Sequence, residues 1–347
     1  MALTLLGDLL PYENQYRQGY IDELRQVTNV FNGGSNNCIR FQDDDAPGTL
    51  KKISYFKDFG NVSRRDITSS ADQTPEKIER AERANFKTFF KFNAIEWQDE
   101  AFYTADKMEK EAIMYMIGGR LAKAKLQESI KQAINITAAA IESQGDATVL
   151  DLTAGTAANF LQTDINRARS KFGAGYNELK LMVIHSSVFF VLAQNQTMNF
   201  QYDLGGGITL YGGVPGTMGM PFIVVDNPAL QYGEGGEYFK SLLLTDSAVT
   251  VGDCGDIRAL LTPNGGKENI THTYQAEWAM WNNVKGYELK SSANPSNNPT
   301  DSVLTTPSNW NKWTVDKTKT AGILVKSIAD LNAVKQIFYV KNVDATA

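Results

Sequence analysis

The sequence predicts an α+β protein built around one long helix, and three observations support that fold class. Residues 104–143 keep a helical period of apolar side chains and contain no proline. Two strand-like runs, at 52–59 and 86–95, precede this helix. Residues 145–315 then alternate short strand-like and helix-like segments with glycine-rich turns. Runs of both kinds in one chain are typical of a mixed helix and sheet architecture.

Composition places the chain among globular proteins. Of its 347 residues, 42% are hydrophobic and 21% are charged, which is typical of a protein with a folded core. No apolar run reaches the roughly 20 residues that cross a bilayer, and the first residues lack the basic stretch of a signal peptide. We therefore expect a protein that is made and used inside a cell, with no membrane partner.

Charge and cysteine content exclude two further classes. The net charge is −5, with 34 basic and 39 acidic residues, so the chain lacks the basic excess that is typical of tight nucleic-acid binding. The protein could line a compartment that holds DNA without binding that DNA tightly. The two cysteines, Cys38 and Cys254, are too few for a disulfide framework and are interpreted as buried free thiols.

The segment 49–103 differs in character from the rest of the chain. Its two strand-like runs enclose a highly charged stretch, from Arg64 to Arg83, that holds too few apolar residues to form its own core. Two strands joined by such a long tip describe a hairpin that projects from a body. Ordering it in a monomer is unfavourable, because few local contacts offset the lost chain entropy. We therefore expect a neighbouring subunit to supply the missing contacts.

Roughly 38 helical residues within 104–143 would form a rod of about 57 Å, at 1.5 Å per residue. Thr104 or Asp106 can cap its first turn. Gly118 and Gly119 lie within this helix, and each glycine destabilises a helix by around 1 kcal/mol relative to alanine. We therefore expect them to mark either a bend or a close approach by a neighbour. The apolar seam of a coiled coil does not persist for three heptads, which disfavours that alternative.

Beyond the helix, the predicted elements follow one another closely. Helices are predicted at 157–172 and 187–194, and strands at 179–184, 222–226 and 241–244. Residues 291–308 are rich in Asn, Pro, Ser and Thr and are interpreted as a loop. Two closing strands, at 322–325 and 335–340, are expected to return to the sheet beside the long helix. Near the start of the chain, residues 12–28 have the spacing of a short amphipathic helix.

The residues that carry most enzyme chemistry are sparse and scattered. The two histidines stand far apart, and the first, His185, ends a buried strand, where a structural histidine with satisfied hydrogen bonds is expected. The glycines of 205–207 and 212–219 precede a strand and lack the Lys-Ser/Thr of a phosphate loop, so we interpret them as turns. Asp253 and Asp256 are interpreted as solvated surface. We predict no catalytic, metal or cofactor site.

Five short stretches occur in an informative order along the chain. They are YFKDFG at 55–60, TPEKI at 74–78, AIEWQD at 94–99, MVIHS at 182–186 and FIVVDN at 222–227. Together with the charged hairpin, the long helix, the mixed domain and the closing strands, they resemble a subgroup of the major capsid proteins of tailed phages. The coat fold of that family is named after the Hong Kong 97 phage. Asn227 departs from the pattern, which usually has Asp at this position.

The resemblance implies a Hong Kong 97-type fold with named parts. It assigns residues 1–48 to an N-terminal arm, 49–103 to the E-loop hairpin, 104–150 to the spine helix of the peripheral domain, 151–317 mainly to the axial domain, and 318–347 to strands that return to the peripheral domain. No long helical extension precedes the hairpin, and within this family that implies a separate scaffolding protein.

The resemblance also implies a structural function. Copies of the chain would form the hexamers and pentamers of an icosahedral head around double-stranded DNA. Assembly in the bacterial cytoplasm would involve a scaffolding protein and a portal protein, with or without decoration proteins. The hairpin would lie over an adjacent subunit, so that deleting residues 62–84 leaves a soluble chain that does not assemble. The predicted assembly contacts are Arg64, Arg65, Glu76, Glu79, Arg80, Arg83, Phe86, Phe90 and Phe92.

Three other functions fit parts of the same pattern. An encapsulin-like bacterial compartment protein would share the fold, and a neighbouring cargo gene, rather than terminase and portal genes, would distinguish it. A soluble enzyme with a glycine-lined pocket would form a dimer or tetramer instead of a shell. A phage tail or decoration protein would lack the long helix.

Overall fold

The structure is a computed structural model of the chain, and it describes most of the residues between 31 and 330. The described residues are 31–44, 46–56, 64, 67–68, 75, 77–98, 110–153, 158–193, 200–203, 208–211, 220–233, 235–255, 257–266, 268–293, 298–314 and 316–330. The predicted helix at 12–28 and the predicted strand at 335–340 lie outside them.

Helices and strands are interspersed along the described part of the chain. The helices are α1 (Lys110–Glu142), α2 (Gln162–Phe172), α3 (Ser186–Ala193) and α4 (Asp301–Thr305). The strands are β1 (Ile39–Asp43), β2 (Leu50–Phe56), β3 (Arg80–Gln98), β4 (Val149–Asp151), β5 (Leu179–Ile184), β6 (Phe200–Asp203), β7 (Ile208–Tyr211), β8 (Phe222–Val225), β9 (Gln231–Tyr232), β10 (Tyr238–Thr245), β11 (Val249–Asp253), β12 (Arg258–Asn264), β13 (Thr271–Val284), β14 (Tyr287–Leu289), β15 (Trp310–Lys312) and β16 (Gly322–Ile328).

Most predicted elements are confirmed, some with shifted ends. The long helix is continuous from 110 to 142, through both of its glycines, and β5 has the predicted bounds. Helix α2 begins later than predicted, because Asn159 forms a β-bridge with Ile328 before the helix starts. Its first turn is then closed by Asp164, whose carboxylate accepts a hydrogen bond from the backbone N–H of Leu161 at 3.0 Å.

One sheet carries the hairpin. Its strand order is β1-β11-β13-β3-β2, with β12 also paired to β13. The long strand β3 pairs with β2 from Arg80 to Phe86 and with β13 from Phe86 to Gln98, antiparallel in both cases. The prediction that the whole of 49–103 projects from the body is therefore wrong for residues 86–98. These residues belong to the body because alternate side chains of β3 are apolar and pack against the core.

The second sheet has eight strands, in the order β4-β16-β10-β5-β8-β7-β6, with β9 paired to β10. Both faces of its strand β5 are buried. Leu181 and Val183 face a core that also contains residues of α1, whereas Met182 and Ile184 face a second core with residues of α2 and α3. A strand covered on both sides needs apolar residues at successive positions, which explains the unbroken apolar run in the sequence.

The two sheets draw strands from several of the predicted parts, and the division of the chain into an arm, hairpin, peripheral and mainly axial domain remains a prediction. Strands β11, β12 and β13 fall within the predicted axial segment 151–317 but join the six-stranded sheet with β3. Strand β16 falls within the predicted returning segment 318–347, and it lies beside the long helix as expected, in the eight-stranded sheet between β10 and β4. Strand β16 carries apolar residues on both faces, since Ile323 and Leu324 are both fully buried. The eight-stranded sheet has one core on each face, so it covers both of these side chains.

The departure at Asn227 has a structural explanation. Asn227 is buried, and its side-chain nitrogen donates a 2.6 Å hydrogen bond to the side-chain oxygen of Asn135 on α1. Its own side-chain oxygen accepts from the backbone N–H of Ala229 at 3.1 Å. An ionised Asp has no donor and could not make the first of these bonds. The amide therefore ties the end of β8 to the long helix.

A buried ion pair holds the middle of α1 against the six-stranded sheet. The Lys125 side chain is 4% exposed and its ammonium donates to the carboxylate of Asp253, the last residue of β11. Asp253 also accepts from the backbone N–H of Gly255 at 3.1 Å. The interpretation of Asp253 as solvated surface is therefore wrong. A sequence cannot reveal this, because the partner lysine lies on a distant helix.

Replacing Asp253 by Asn should destabilise the chain strongly. The change removes the carboxylate that pairs with the buried Lys125 ammonium, and breaking such a pair costs about 3–5 kcal/mol. Thermal unfolding of the unassembled chain measures the loss. Asp246→Asn is the matched control, since Asp246 is 53% exposed and 4.0 Å from Lys180, and it should change little. The double change Lys125→Met with Asp253→Asn should recover much of the stability. Equal melting of the two single variants would contradict this account.

A second charged cluster fixes the C-terminal end of α1 to the eight-stranded sheet. Lys240 and Lys326 lie directly opposite each other on β10 and β16, an arrangement that alone is repulsive. Each donates a 2.8 Å hydrogen bond to a different oxygen of Glu142. Both ammonium groups also lie over the Tyr232 ring, at 5.5 and 5.3 Å. Burial alone would raise the pKa of Glu142, but the two lysines outweigh it and the pKa is lowered.

Glu142→Gln should therefore destabilise the chain by about 3 kcal/mol at neutral pH, because it leaves two opposed lysines without a counter-charge. The folded-state pKa of Glu142 lies below its ordinary value of 4.5. Its contribution is thus fully present above 4.5 and is lost as the pH falls through the folded-state pKa. Urea denaturation at pH 7 and near pH 3.5 should show the difference between wild type and variant shrinking. Glu82→Gln, at a 56% exposed carboxylate, is the control and should have little effect at either pH.

Candidate assembly surface

The stem of the hairpin rests on a short segment near the end of the described chain. The stem comprises β2 and residues 80–86 of β3. At its base, the Phe86 ring meets the Trp310 ring edge to face, with centroids 5.9 Å apart. Both of these rings are almost fully buried. The base of the hairpin is therefore part of the chain's own core.

A cluster that we call the stem clasp, formed by Tyr55, Arg83 and Trp313, fixes the next part of the stem. The Tyr55 and Trp313 rings lie 4.7 Å apart, and the Tyr55 hydroxyl donates to the Trp313 carbonyl oxygen at 3.4 Å. The Arg83 guanidinium lies 5.1 Å from the centre of the Trp313 ring. Burial lowers the pKa of Arg83, although nearby Tyr55 acts in the opposite direction. The clasp therefore fixes this part of the stem to the chain's own body.

Beyond the clasp, the hairpin exposes large apolar side chains. Phe56 is 66% exposed at the end of β2, Ile67 is 84% exposed and Ile78 is 62% exposed. Isolated exposed apolar residues are common on protein surfaces. Each of these three side chains on the hairpin would gain by burial against another molecule.

The predicted charged contacts are distributed along this hairpin. Arg64, Glu79 and Arg80 are exposed. Arg65 and Glu76 lie outside the described residues. Arg83 alone among the described charged candidates is half-buried, and it belongs to the stem clasp. The three exposed candidates remain predictions as contacts to a neighbouring copy.

The predicted aromatic contacts are less available than expected. Phe86 is 3% exposed and has little surface left for a neighbour. Phe90 and Phe92 are half-buried: the Phe90 ring stacks on Trp278 with centroids 5.8 Å apart, and the Phe92 ring meets Tyr274 edge to face at 6.5 Å. The strand pairing of β3 with β13 causes this, because it brings these rings onto the chain's own core.

The outer face of the six-stranded sheet carries a second exposed surface. Phe89 on β3 is 52% exposed and Leu260 on β12 is 57% exposed. Between them, the strand register aligns Lys91, Glu277 and Arg258 across three neighbouring strands. Opposite charges in adjacent positions of this kind stabilise a sheet. The sequence reasoning missed this surface, because it depends on which strands are neighbours.

Trp310 and Trp313 were also missed. A signal was present, since two tryptophans lie within four residues directly after the polar stretch 291–308. Large aromatic residues in such a setting commonly anchor a loop to a core. Without the partner strand, however, the sequence does not show that they receive the hairpin.

The sites that could have carried enzyme chemistry have structural partners. His185 is buried, and its Nδ1 accepts from the backbone N–H of Ser187 at 3.2 Å, while its Nε2 lies 3.0 Å from the Gln231 side-chain nitrogen. Burial lowers the pKa of His185, although Asp226 at 3.5 Å acts against this. The prediction of a structural histidine is confirmed.

The cysteines have the predicted free thiols, with Cys38 buried and Cys254 only half-buried, and burial raises the pKa of Cys38 to about 12.

The glycine-rich stretches at 205–207 and 212–219 lie outside the described residues. The strands on either side of them, β6 with β7 and β7 with β8, pair antiparallel, as expected for chain reversals. Among the described residues, no three His, Cys, Asp or Glu side chains come together as a metal site. In the same part of the chain, every helix is too short or too polar to cross a bilayer.

The fold is that of phage capsid proteins. The chain resembles the capsid asymmetric unit of cyanophage Pam1, with a TM-score of 0.50 and 9% identity over 84% of this chain and 88% of that one. The capsid of Ralstonia phage GP4 gives a TM-score of 0.49 at 9% identity, over 85% and 88%. At such identities the likeness shows the fold alone. The predicted Hong Kong 97-type coat fold is confirmed.

The family follows from a separate comparison. A family model described as major capsid protein 13-like matches residues 8–324, and the chain therefore belongs to this family of major capsid proteins. No curated protein sequence matches the chain. The prediction that the chain is a structural coat protein of a phage virion is thus confirmed.

Trp313→Ala should loosen the hairpin without unfolding the body. The change removes the ring contacts to Tyr55 and Arg83, which contribute about 1–2 kcal/mol together, so cleavage of the hairpin by trypsin should accelerate on the order of tenfold. Trp97→Ala is the matched control, because Trp97 stacks on His272 at the opposite end of β3. Limited proteolysis of the unassembled chain, with cleavage sites read by mass spectrometry, gives the rates. Equal rates within residues 57–83 for the two variants would rule out the clasp.

Proposed function

We propose that copies of this chain form the hexamers and pentamers of an icosahedral phage head that encloses double-stranded DNA. The observation that carries the proposal is the family match over residues 8–324. A closed shell needs one protein to make the same few contacts many times, so that weak individual contacts become strong together. The exposed part of the hairpin and the outer face of the six-stranded sheet are suited to such contacts.

In this proposal, the hairpin of one copy lies over an adjacent copy. The stem is fixed to its own body by the clasp, so the outer part of the hairpin reaches away in a defined direction. Phe56, Ile67 and Ile78 offer apolar surface at about 25 cal/mol per Å² buried, and the exposed charges Arg64, Glu79 and Arg80 select the partner surface. Exposed ion pairs add only about 0–1 kcal/mol each, so apolar burial supplies most of the affinity.

The proposal includes partners other than the chain itself. A closed shell of defined size needs a template during assembly, which we assign to a separate scaffolding protein in the bacterial cytoplasm. It also needs one opening for DNA, which we assign to a portal protein. With a net charge of −5, the chain would surround DNA without sequence-specific contacts. Decoration proteins could bind the outer surface.

We also propose that the chain has no catalytic activity. Both ring nitrogens of His185 are used within the fold, and Asp253 neutralises a buried lysine. Groups that hold the structure together in this way are poor acids, bases or ligands, because changing their protonation would cost stability.

Removing the outer hairpin should abolish shell formation. Replacing residues 62–79 with a short Gly-Ser linker leaves the paired residues of β2 and β3 intact, whereas a longer deletion would also remove residues 80–84 of the stem. The variant should remain soluble and melt within a few degrees of wild type, because the removed residues lie beyond the paired stem. Negative-stain electron microscopy of both proteins, co-expressed with the scaffolding protein, reads the outcome. Normal heads from the variant would end the proposed role of the hairpin.

A further inference from the structure

Two asparagines of this chain have the same local sequence but different surroundings. Residues 32–34 and 264–266 both read Asn-Gly-Gly, and these are the chain's two Asn-Gly sequences. Both asparagine side chains are half-buried, and the glycine that follows each of them is exposed. Sequence and exposure therefore make the two sites equivalent, and their hydrogen bonds distinguish them.

An asparagine followed by glycine is a chemically labile pair. The backbone nitrogen of the glycine attacks the asparagine Cγ, the new C–N bond closes a succinimide ring, and the Cγ–Nδ2 bond breaks. The side-chain nitrogen leaves as ammonia and takes the proton that the glycine nitrogen gives up. Water then opens the ring, at Cγ to give aspartate or at the main-chain carbon to give isoaspartate. Glycine favours ring closure because it has no Cβ to obstruct it.

The Asn32 side chain is held at both ends. Its Oδ1 accepts from the backbone N–H of Phe41 at 3.1 Å, and its Nδ2 donates to the carbonyl oxygen of the same residue at 3.2 Å. The backbone is held as well, because residues 31–34 are helical and the Asn32 carbonyl oxygen accepts from the N–H of Asn37 at 2.9 Å. Ring closure would break both side-chain hydrogen bonds, so the fold protects Asn32.

The Asn264 side chain is held at one end. Asn264 is the last residue of β12, and its Nδ2 donates to the Thr273 hydroxyl oxygen on β13 at 2.7 Å. Within the described part of the chain, neither its Oδ1 nor the N–H of Gly265 has a hydrogen-bond partner. The space beside Gly265 is open, since a Cβ added there would meet no atom within 4 Å. The attacking nitrogen and the Cγ that it attacks are therefore free to approach each other.

We propose that Asn264 is a site of spontaneous deamidation, at which aspartate or isoaspartate replaces asparagine in the folded chain, while Asn32 is preserved. Water is the co-reactant. Each event adds one negative charge where β12 ends, and isoaspartate also inserts the Cβ into the backbone at the last β12 pair, that of Asn264 with Thr271. A carboxylate has no donor, so the Thr273 hydroxyl must donate in its place. The reaction occurs within one copy, and the inference therefore stands apart from the proposed shell.

Peptide mass spectrometry after incubation in mildly alkaline buffer compares the two sites in one sample. In the folded chain, Asn264 should deamidate at least about tenfold faster than Asn32, because the structure around Asn32 must open before its ring can close. In urea, which unfolds both surroundings, the identical tripeptides should react at equal rates. Equal rates in the folded chain would overturn the proposal. A difference that persists in urea would assign it to the flanking sequence and would overturn the proposal as well.

Gly265→Ala tests the attacking nitrogen. A Cβ at this position meets open space, and the φ of Gly265 lies outside the left-handed region, so the variant should fold like the wild type. The added Cβ obstructs ring closure, and deamidation of Asn264 should slow at least about fivefold. Gly33→Ala is the matched control, because a Cβ at Gly33 also meets no atom within 4 Å, and it should leave the rate at Asn264 unchanged. An undiminished rate in Gly265→Ala, or an equal loss in both variants, would overturn the assignment.

Discussion

The burial of the long helix α1 between two sheets is the constraint on which the rest of the structure depends. One continuous core contains residues of α1 together with inward residues of both sheets, such as Val251 and Leu242. From Ser129 to Ile141, most positions of the helix are buried, whichever way they face. A helix covered on nearly all sides is hydrophobic nearly all round. The few polar residues there need internal partners, as when the Thr137 hydroxyl donates to the carbonyl oxygen of Ala133 at 2.6 Å.

Directional contacts then set how the sheets sit on this helix. Apolar packing is non-directional and would tolerate several arrangements. Lys125 with Asp253 holds the six-stranded sheet, and Glu142 with its two lysines holds the eight-stranded sheet. Removing one partner of such pairs is costly, because the other remains charged and desolvated. These charged contacts therefore define how the two sheets are oriented on the helix, which apolar burial alone would not do.

A fixed body matters for a coat protein, because a shell multiplies any error in the shape of one subunit. The stem clasp extends this rigidity to the base of the hairpin through Trp313, while the outer hairpin keeps Phe56 and Ile78 exposed. The molecule thus divides into a part whose apolar surface is covered by its own chain and a part whose surface is left for other copies. The six-stranded sheet belongs to both parts, since one face packs on the core and the other exposes Phe89 and Leu260.

The sequence by itself determined the elements with a strong local period and their order. The helix through 110–142, the strand at 179–184 and the antiparallel pairing of the hairpin strands follow from side-chain spacing along one stretch of chain, and the order of the elements identified the family fold. The candidate contacts were found only in part: Arg64, Glu79 and Arg80 are exposed as predicted, but Phe86 lies in the core.

Only the tertiary structure decided which distant segments are neighbours. It placed β11 to β13 beside β3, set β16 between β10 and β4, paired Lys125 with Asp253, and gave the Asn227 amide a hydrogen-bond partner on the long helix. Each of these depends on contacts between residues far apart in sequence, and periodicity along the chain carries no information about such contacts. Strand periodicity shows which side chains share a face, but not which strand lies alongside.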